Sequence, residues 1–179
     1  MPGGDSHPSD RVREEGGIDE RFGDPAVIRK IFGYARTIAF VGLSPSRVRA
    51  SFFVAQYLQY RGFRIVPVNP RADEILGEKA YPSLLEVPVK VDVVDVFRDP
   101  SAVPEIVDQA IQIGARALWL QFNVIAPEAA ARAAAAGLDV VMDRCMKIEH
   151  GRWYGEMHWF GLNTGIVTSR RPERTRPTS

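Results

Sequence analysis

Only one cysteine, Cys145, occurs among 179 residues. A lone thiol excludes an internal disulfide framework, and no Cys/His group with zinc-ligand spacing accompanies it. An excess of either charge is also missing: 23 Lys and Arg face 22 Asp and Glu, for a formal net charge of +1. That balance offers no global electrostatic footprint for nucleic acid or an anionic membrane. No stretch approaches the ~18 consecutive apolar residues of a membrane span. The opening "MPGGDSHPSDRVREEGG" has no apolar core, so no secretory signal is expected. These absences predict a soluble cytoplasmic protein with neither a nucleic-acid nor a membrane partner.

Catalytic sets are missing as well. His7 lies in a polar N-terminus, and His150 and His158 lie near the C-terminus, with no Ser/His/Asp pattern between them. No paired carboxylates occur at one strand-end loop in a setting that would raise a pKa. Asp92 and Asp95 sit on opposite faces of one predicted strand, where Asp95 reads either as a buried, hydrogen-bonded carboxyl or as part of an exposed edge. No catalytic residue and no metal ligand is assigned, and the reading leans away from an enzyme.

What is present is an alternation of strands and helices. Residues 1–22 are poor in large apolar groups and are expected to be disordered, as is the basic tail 169–179, with four arginines against one glutamate. Between them, 23–150 forms the domain and 151–168 an extension packed on that domain or on a partner. "DPAVIRKIFGYA" opens the domain as a helix, with Asp24 as cap and Pro25 in the first turn. Strands are expected at 37–42, 64–68, 91–97, 117–122 and 138–142, with helices near 50–61, 102–113 and 126–136 and a short extra helix near 82–86. This order implies right-handed crossovers and a mainly parallel five-stranded sheet in a Rossmann-like three-layer α/β/α fold. The expected strand order is 3-2-1-4-5. Pro67 fits that order poorly, because it would place a residue without an N–H in an internal strand.

Ligands of such sheets bind beyond the carboxyl ends of the strands, where the strand order reverses. After the first strand comes "GLSPSRVRAS". Gly42 permits a tight exit, Ser44, Ser46 and Ser51 offer hydroxyls beside Pro45, and Arg47 and Arg49 offer charge ahead of a helix N-terminus. The loop reads either as a phosphate cradle or as a capped turn with solvated arginines. It has one glycine where a dinucleotide fingerprint has three. After the second strand comes Asn69-Pro70-Arg71, with no carboxylate until Asp73, so the ribose-binding acid of an NAD site is missing. Arg71 suits a further phosphate on the ribose, as in NADP or coenzyme A, or is simply an exposed turn residue. In the remaining loops, Phe97 can pack on an adenine or on the core, Gln121 and Asn123 can bond amides of an extended ligand, and Cys145 falls on the same edge.

Taken together, "VGLSPS…S", "VPVNPR", "VDVVDVFRDPSAVPEIVDQAIQIGARALWLQF" and "GLDVVMDRCMKIE" resemble the small CoA-binding protein family over about residues 25–150. That family shares its fold with the CoA-binding domain of the succinyl-CoA synthetase α subunit. The resemblance implies binding of coenzyme A or an acyl-CoA. Gly42 would give the turn, and Ser44, Pro45, Ser46, Arg47 and Ser51 would hold the pyrophosphate. Asn69, Pro70 and Arg71 would follow the adenosine and its 3′-phosphate, and Phe97 and Arg98 would border the nucleotide. Gln121, Phe122 and Asn123 would line the pantetheine path, with Cys145 near the thiol. The synthetases' phosphorylated histidine belongs to a second domain that has no room here, so ligase activity is not implied. Three readings stand: non-catalytic binding of coenzyme A or acyl-CoA, with a homodimer or an acyl-CoA enzyme as possible partner; an NADP- or CoA-dependent reductase or transferase; and a dimeric redox or interaction protein using Cys145.

Overall fold

A computed structural model describes residues 20–154. The disorder expected for residues 1–19 and the roles expected for 155–179 lie outside the described residues. Within them, the 3-10 turn Glu20–Gly23 and helix α1 (Pro25–Tyr34) precede strand β1 (Thr37–Val41), helix α2 (Ala50–Tyr60) and strand β2 (Arg64–Val68). A small hairpin, β3 (Glu74–Ile75) and β4 (Glu78–Lys79), and a 3-10 turn (Leu84–Glu86) lead to β5 (Val93–Val96) and α3 (Val103–Gln112). Then follow β6 (Ala117–Leu120), α4 (Pro127–Ala135), β7 (Asp139–Val141) and α5 (Met146–Tyr154).

Local chemistry accounts for the starts of these helices. Asp24 accepts the N–H of Ala26 at 2.7 Å and Pro25 occupies the first turn of α1, where its missing N–H costs nothing. Pro104 and Pro127 sit in the first turns of α3 and α4 in the same way. Alternation along each strand divides the core in two. Ile38, Phe40, Ile65, Val93 and Trp119 pack under α1, α2 and α5, while Ala39, Val41, Val66, Val94 and Leu118 pack under α3 and α4. This is the expected three-layer α/β/α arrangement with a parallel sheet.

The strand order is β2-β1-β5-β6-β7, which is 2-1-3-4-5 for the five main strands and corrects the expected 3-2-1-4-5. The third main strand, β5, pairs with β1 (Ile38 opposite Val93) and not with β2, so β2 is an edge. Pro67 supplies the physical reason. Arg64 donates its N–H to Arg36 O, and Val68 O accepts from Gly42 N, so alternate residues of β2 face β1. Pro67 faces outward, where no ladder bond is needed, and its carbonyl accepts the N–H of Tyr81 at 3.0 Å. The reversal point therefore lies between β1 and β5.

Two elements go beyond the sequence expectation. The β3–β4 hairpin was read as irregular chain, and α5 crosses the boundary drawn at residue 150. Likewise Phe22, assigned to the loose N-terminus, is 6% exposed, and its carbonyl accepts the N–H of Met142 at 2.8 Å. Among the described residues no helix is long and apolar enough to cross a membrane.

Candidate functional site

The carboxyl ends of β1 and β5 place two loops in contact. Gly42 leaves β1 with φ +88°, and a Cβ there would lie 2.8 Å from both Arg98 Cδ and Phe97 O. Only glycine combines that backbone conformation with so close an approach. The Arg98 side chain lies over the turn and borders cavities to either side of it.

The larger cavity, about 360 Å3, lies between the start of α2 and the ends of β5 and β6. Ala50, Val54 and Phe97 form apolar wall, with Gln121, Phe122, Asn123 and Cys145 opposite. Phe97 stacks on Phe40, with centroids 6.0 Å apart, and so joins the cavity wall to the core. The smaller cavity, about 200 Å3, lies between β1, β2 and α3 and is bordered by Gly42, Val68, Pro70, Pro82 and Gln109. The expected adenosine-side residue Pro70 and arm-side residues Gln121 to Asn123 thus fall in different cavities, with Arg98 common to both.

Beyond Gly42, the β1–α2 loop stands at the same edge but lines neither cavity. Ser44 donates its N–H to Ser51 Oγ at 3.1 Å, and Ser46 donates its N–H to Ser44 Oγ at 3.1 Å. These two amides are spent on the loop itself, while the hydroxyls that accept them keep their own hydrogens for donation. Helix α2 starts after Arg49 without a side-chain cap, so its first amides keep their positive end free. Asn69 ties the neighbouring loop in: Nδ2 donates to Leu43 O at 2.8 Å, while Oδ1 accepts the N–H of Arg71 at 2.8 Å. Asn69 therefore holds the two loops together, and its amide is occupied in doing so.

Four arginines gather at this edge, with Asp99 close enough to Arg98 to feel its charge. Arg47, Arg49, Arg71 and Arg98 are exposed, and none forms an ion pair among the described residues. At the opposite edge Lys30 lies 2.8 Å from Asp139 and Asp92 accepts the N–H groups of Arg36 and Thr37 at 3.0 Å, while Arg36, Arg64 and Arg116 are exposed there.

Beneath the larger cavity sits Asp95, with no exposed surface. Gln121 Nε2 donates to both of its carboxyl oxygens, at 2.9 and 3.0 Å. Burial pushes the carboxyl up to about 8, against the pull of that bond and of the Val96 N–H. The buried alternative of the sequence reading is thus the correct one. Cys145 is partly buried, and its thiol is pushed up, first by burial and also by the nearby Asp95. It is a neutral thiol at neutral pH and a poor nucleophile. No group of three or more metal-ligating side chains occurs among the described residues. Sequence reasoning missed Ala50, Val54, Pro82 and Gln109 at this edge. The walls come from helix faces that carry no motif, and only the short helix expected near 82–86 hinted that chain covers the β2 edge.

Comparison with known proteins gives the family. A Bacillus subtilis protein, YneT, is 37% identical over 125 residues, covering 70% of this chain and 93% of its own. The solved structure of a hypothetical protein from Pyrococcus horikoshii superposes with a TM-score of 0.72 at 41% identity, covering 77% of this chain and 97% of that one. An ADP-forming acetate–CoA ligase from Archaeoglobus fulgidus is 36% identical over 89 residues, which is 49% of this chain but 13% of the ligase. The family profile described as CoA binding domain matches residues 36–151, and the chain belongs to that family.

Proposed function

We propose that the protein binds coenzyme A or an acyl-CoA without transforming it, acting as a carrier, sensor or partner of an acyl-CoA enzyme. The observation that carries this reading is the pair of cavities meeting at Arg98, beside arginines with no ion-pair partner among the described residues. Coenzyme A has matching parts: a compact adenosine bisphosphate, a pyrophosphate, and a long, mainly apolar arm with amides. The smaller cavity, with Pro70 at its rim and Asn69 and Arg71 beside it, takes the adenosine end. The hydroxyls of Ser44, Ser46 and Ser51, with Arg47 and the uncapped start of α2, meet the pyrophosphate beside Gly42 and Pro45. The larger cavity, past Phe97, Arg98, Gln121, Phe122 and Asn123, takes the arm, and its thiol end approaches Cys145.

The neutral Cys145 thiol and the lack of an acid–base pair at this edge among the described residues favour binding over NADP-linked or transfer chemistry. Such domains occur within acetate–CoA ligases, so an acyl-CoA enzyme is a natural partner class. Calorimetric titration with coenzyme A, dephospho-CoA and NADP tests the reading. Coenzyme A should bind most tightly, dephospho-CoA more weakly for want of the Arg71 contact, and NADP weakest for want of an arm. Equal or tighter binding of NADP would move the reading to a reductase.

A further inference from the structure

Asp95 is the least expected group in the core. It lies in an apolar layer, opposite Phe40 on one side and Trp119 on the other, and forms no ion pair among the described residues. An acid kept there costs stability, since burial disfavours its ionised form and no cation offsets it. A Leu or Asn would fill the space at lower cost. Groups that break the packing rule in this way cluster where binding or chemistry needs them.

The contact it makes is specific. Gln121 is 4% exposed, yet it lines the larger cavity. Its Nε2 is held by both oxygens of Asp95, so the group it has left for a cavity occupant is the carbonyl oxygen Oε1. Turned over, the amide would set Oε1 against the two carboxyl oxygens. The ionised carboxyl enforces this orientation; its protonated form keeps one bare oxygen for Nε2 but can also donate its O–H to a turned-over Oε1, so the orientation is held most firmly when Asp95 is ionised.

We propose that Asp95 is a positioning residue for ligand recognition: through Gln121 it presents a hydrogen-bond acceptor to the larger cavity, which thereby selects an arm carrying amide N–H groups. The proposal rests on the coenzyme A reading above and names what that site recognises in the arm. Asp95 itself does not touch the ligand. An unanchored Gln121 would divide its time between donor and acceptor faces and would lose the arm's N–H for part of it.

The test measures affinities of coenzyme A and of adenosine 3′,5′-bisphosphate, which lacks the arm, for wild type, D95L, D95N, Q121L and D95L/Q121L. D95L should weaken coenzyme A by about tenfold, the worth of one net hydrogen bond, and leave the bisphosphate unchanged. D95N keeps an acceptor for Nε2 and should recover most of that loss. In the Q121L background, D95L should have no further effect, because Asp95 acts only through Gln121. Should D95L not fold, D95A removes the same acceptor. The proposal is overturned if D95L binds coenzyme A as wild type does, if it weakens both ligands alike, or if its effect adds to that of Q121L. Wild type binding neither ligand would instead overturn the coenzyme A reading itself, and this inference with it.

Discussion

A Cβ on Gly42 would stand 2.8 Å from Arg98 Cδ and 2.8 Å from Phe97 O, so the turns leaving β1 and β5 touch through a position that has room only for hydrogen. With φ at +88°, Gly42→Ala adds backbone strain to the clash. It should cost about 1–3 kcal/mol, a fall in melting temperature of several degrees. It should also weaken coenzyme A, because Arg98 must move. Thermal denaturation with and without ligand checks both effects, and a variant with wild-type melting and affinity would show that the contact is not built as described.

Asn69→Ala removes the bond to Leu43 O and the acceptor for the Arg71 N–H. The expected loss is about 1–2 kcal/mol of stability, with a coenzyme A affinity that falls because the two loops are no longer in register. Denaturant melts and titration of the same preparation separate the two losses.

Charge reversal at Arg71 should act on one phosphate. Arg71→Glu is expected to weaken coenzyme A by about tenfold or more, the worth of a charged hydrogen bond, and dephospho-CoA much less. Melting temperature should hardly change, because Arg71 is exposed and has no ion-pair partner among the described residues. Equal weakening of both ligands would remove Arg71 from the 3′-phosphate.

Two buried groups give opposite dependences on pH. Asp95 is raised to about 8 from ~3.9 in the unfolded chain, so over that interval the folded state holds a proton that the unfolded state has lost. Its contribution therefore declines as pH rises from about 4 to about 8. Asp95→Asn abolishes that slope, and its melting temperature should exceed that of wild type near pH 8, with the gap closing toward pH 5. His150 is lowered to about 4 from ~6.5, by burial and by Arg61. It packs against Phe32, Phe63 and Tyr154, with Nδ1 3.1 Å from Tyr57 Oη. The unfolded chain takes up the proton first as pH falls, so stability is lost between about 6.5 and 4. His150→Phe should flatten that acid limb, as melts across the range would show.

Cys145 should alkylate with iodoacetamide more slowly than a free thiol near neutral pH, because burial and Asp95 both disfavour its thiolate. Coenzyme A should slow it further, and Cys145→Ser should still bind the ligand. Rapid alkylation unaffected by coenzyme A would place the thiol away from the arm.

The sequence made the layers legible because period and caps agree: Asp24–Pro25, Pro104 and Pro127 mark helix starts, and near-continuous apolar runs mark buried parallel strands. Strand order was less legible, since neighbours in a sheet are chosen by long-range packing. Yet Pro67 carried the decisive information, for a residue without an N–H belongs on an edge. Helix α5 was missed because its buried residues include Glu149, His150 and Arg152, which give no apolar stripe to read. Glu149 and Arg152 face each other at 3.2 Å, a pairing visible only once the helix exists. At the site, loop residues could be named from chemistry, but their work could not be divided. Ser44, Ser51 and Asn69 build the loops with the same polar atoms that seemed free for a ligand.

The most direct test of coenzyme A binding at this edge is a thermal melt of the full chain over increasing coenzyme A, with NADP alongside. At about 100 times the dissociation constant, coenzyme A should add ~2.7 kcal/mol and raise the melting temperature by several degrees, with NADP giving little. No shift at millimolar coenzyme A, or an equal shift with NADP, would contradict the account.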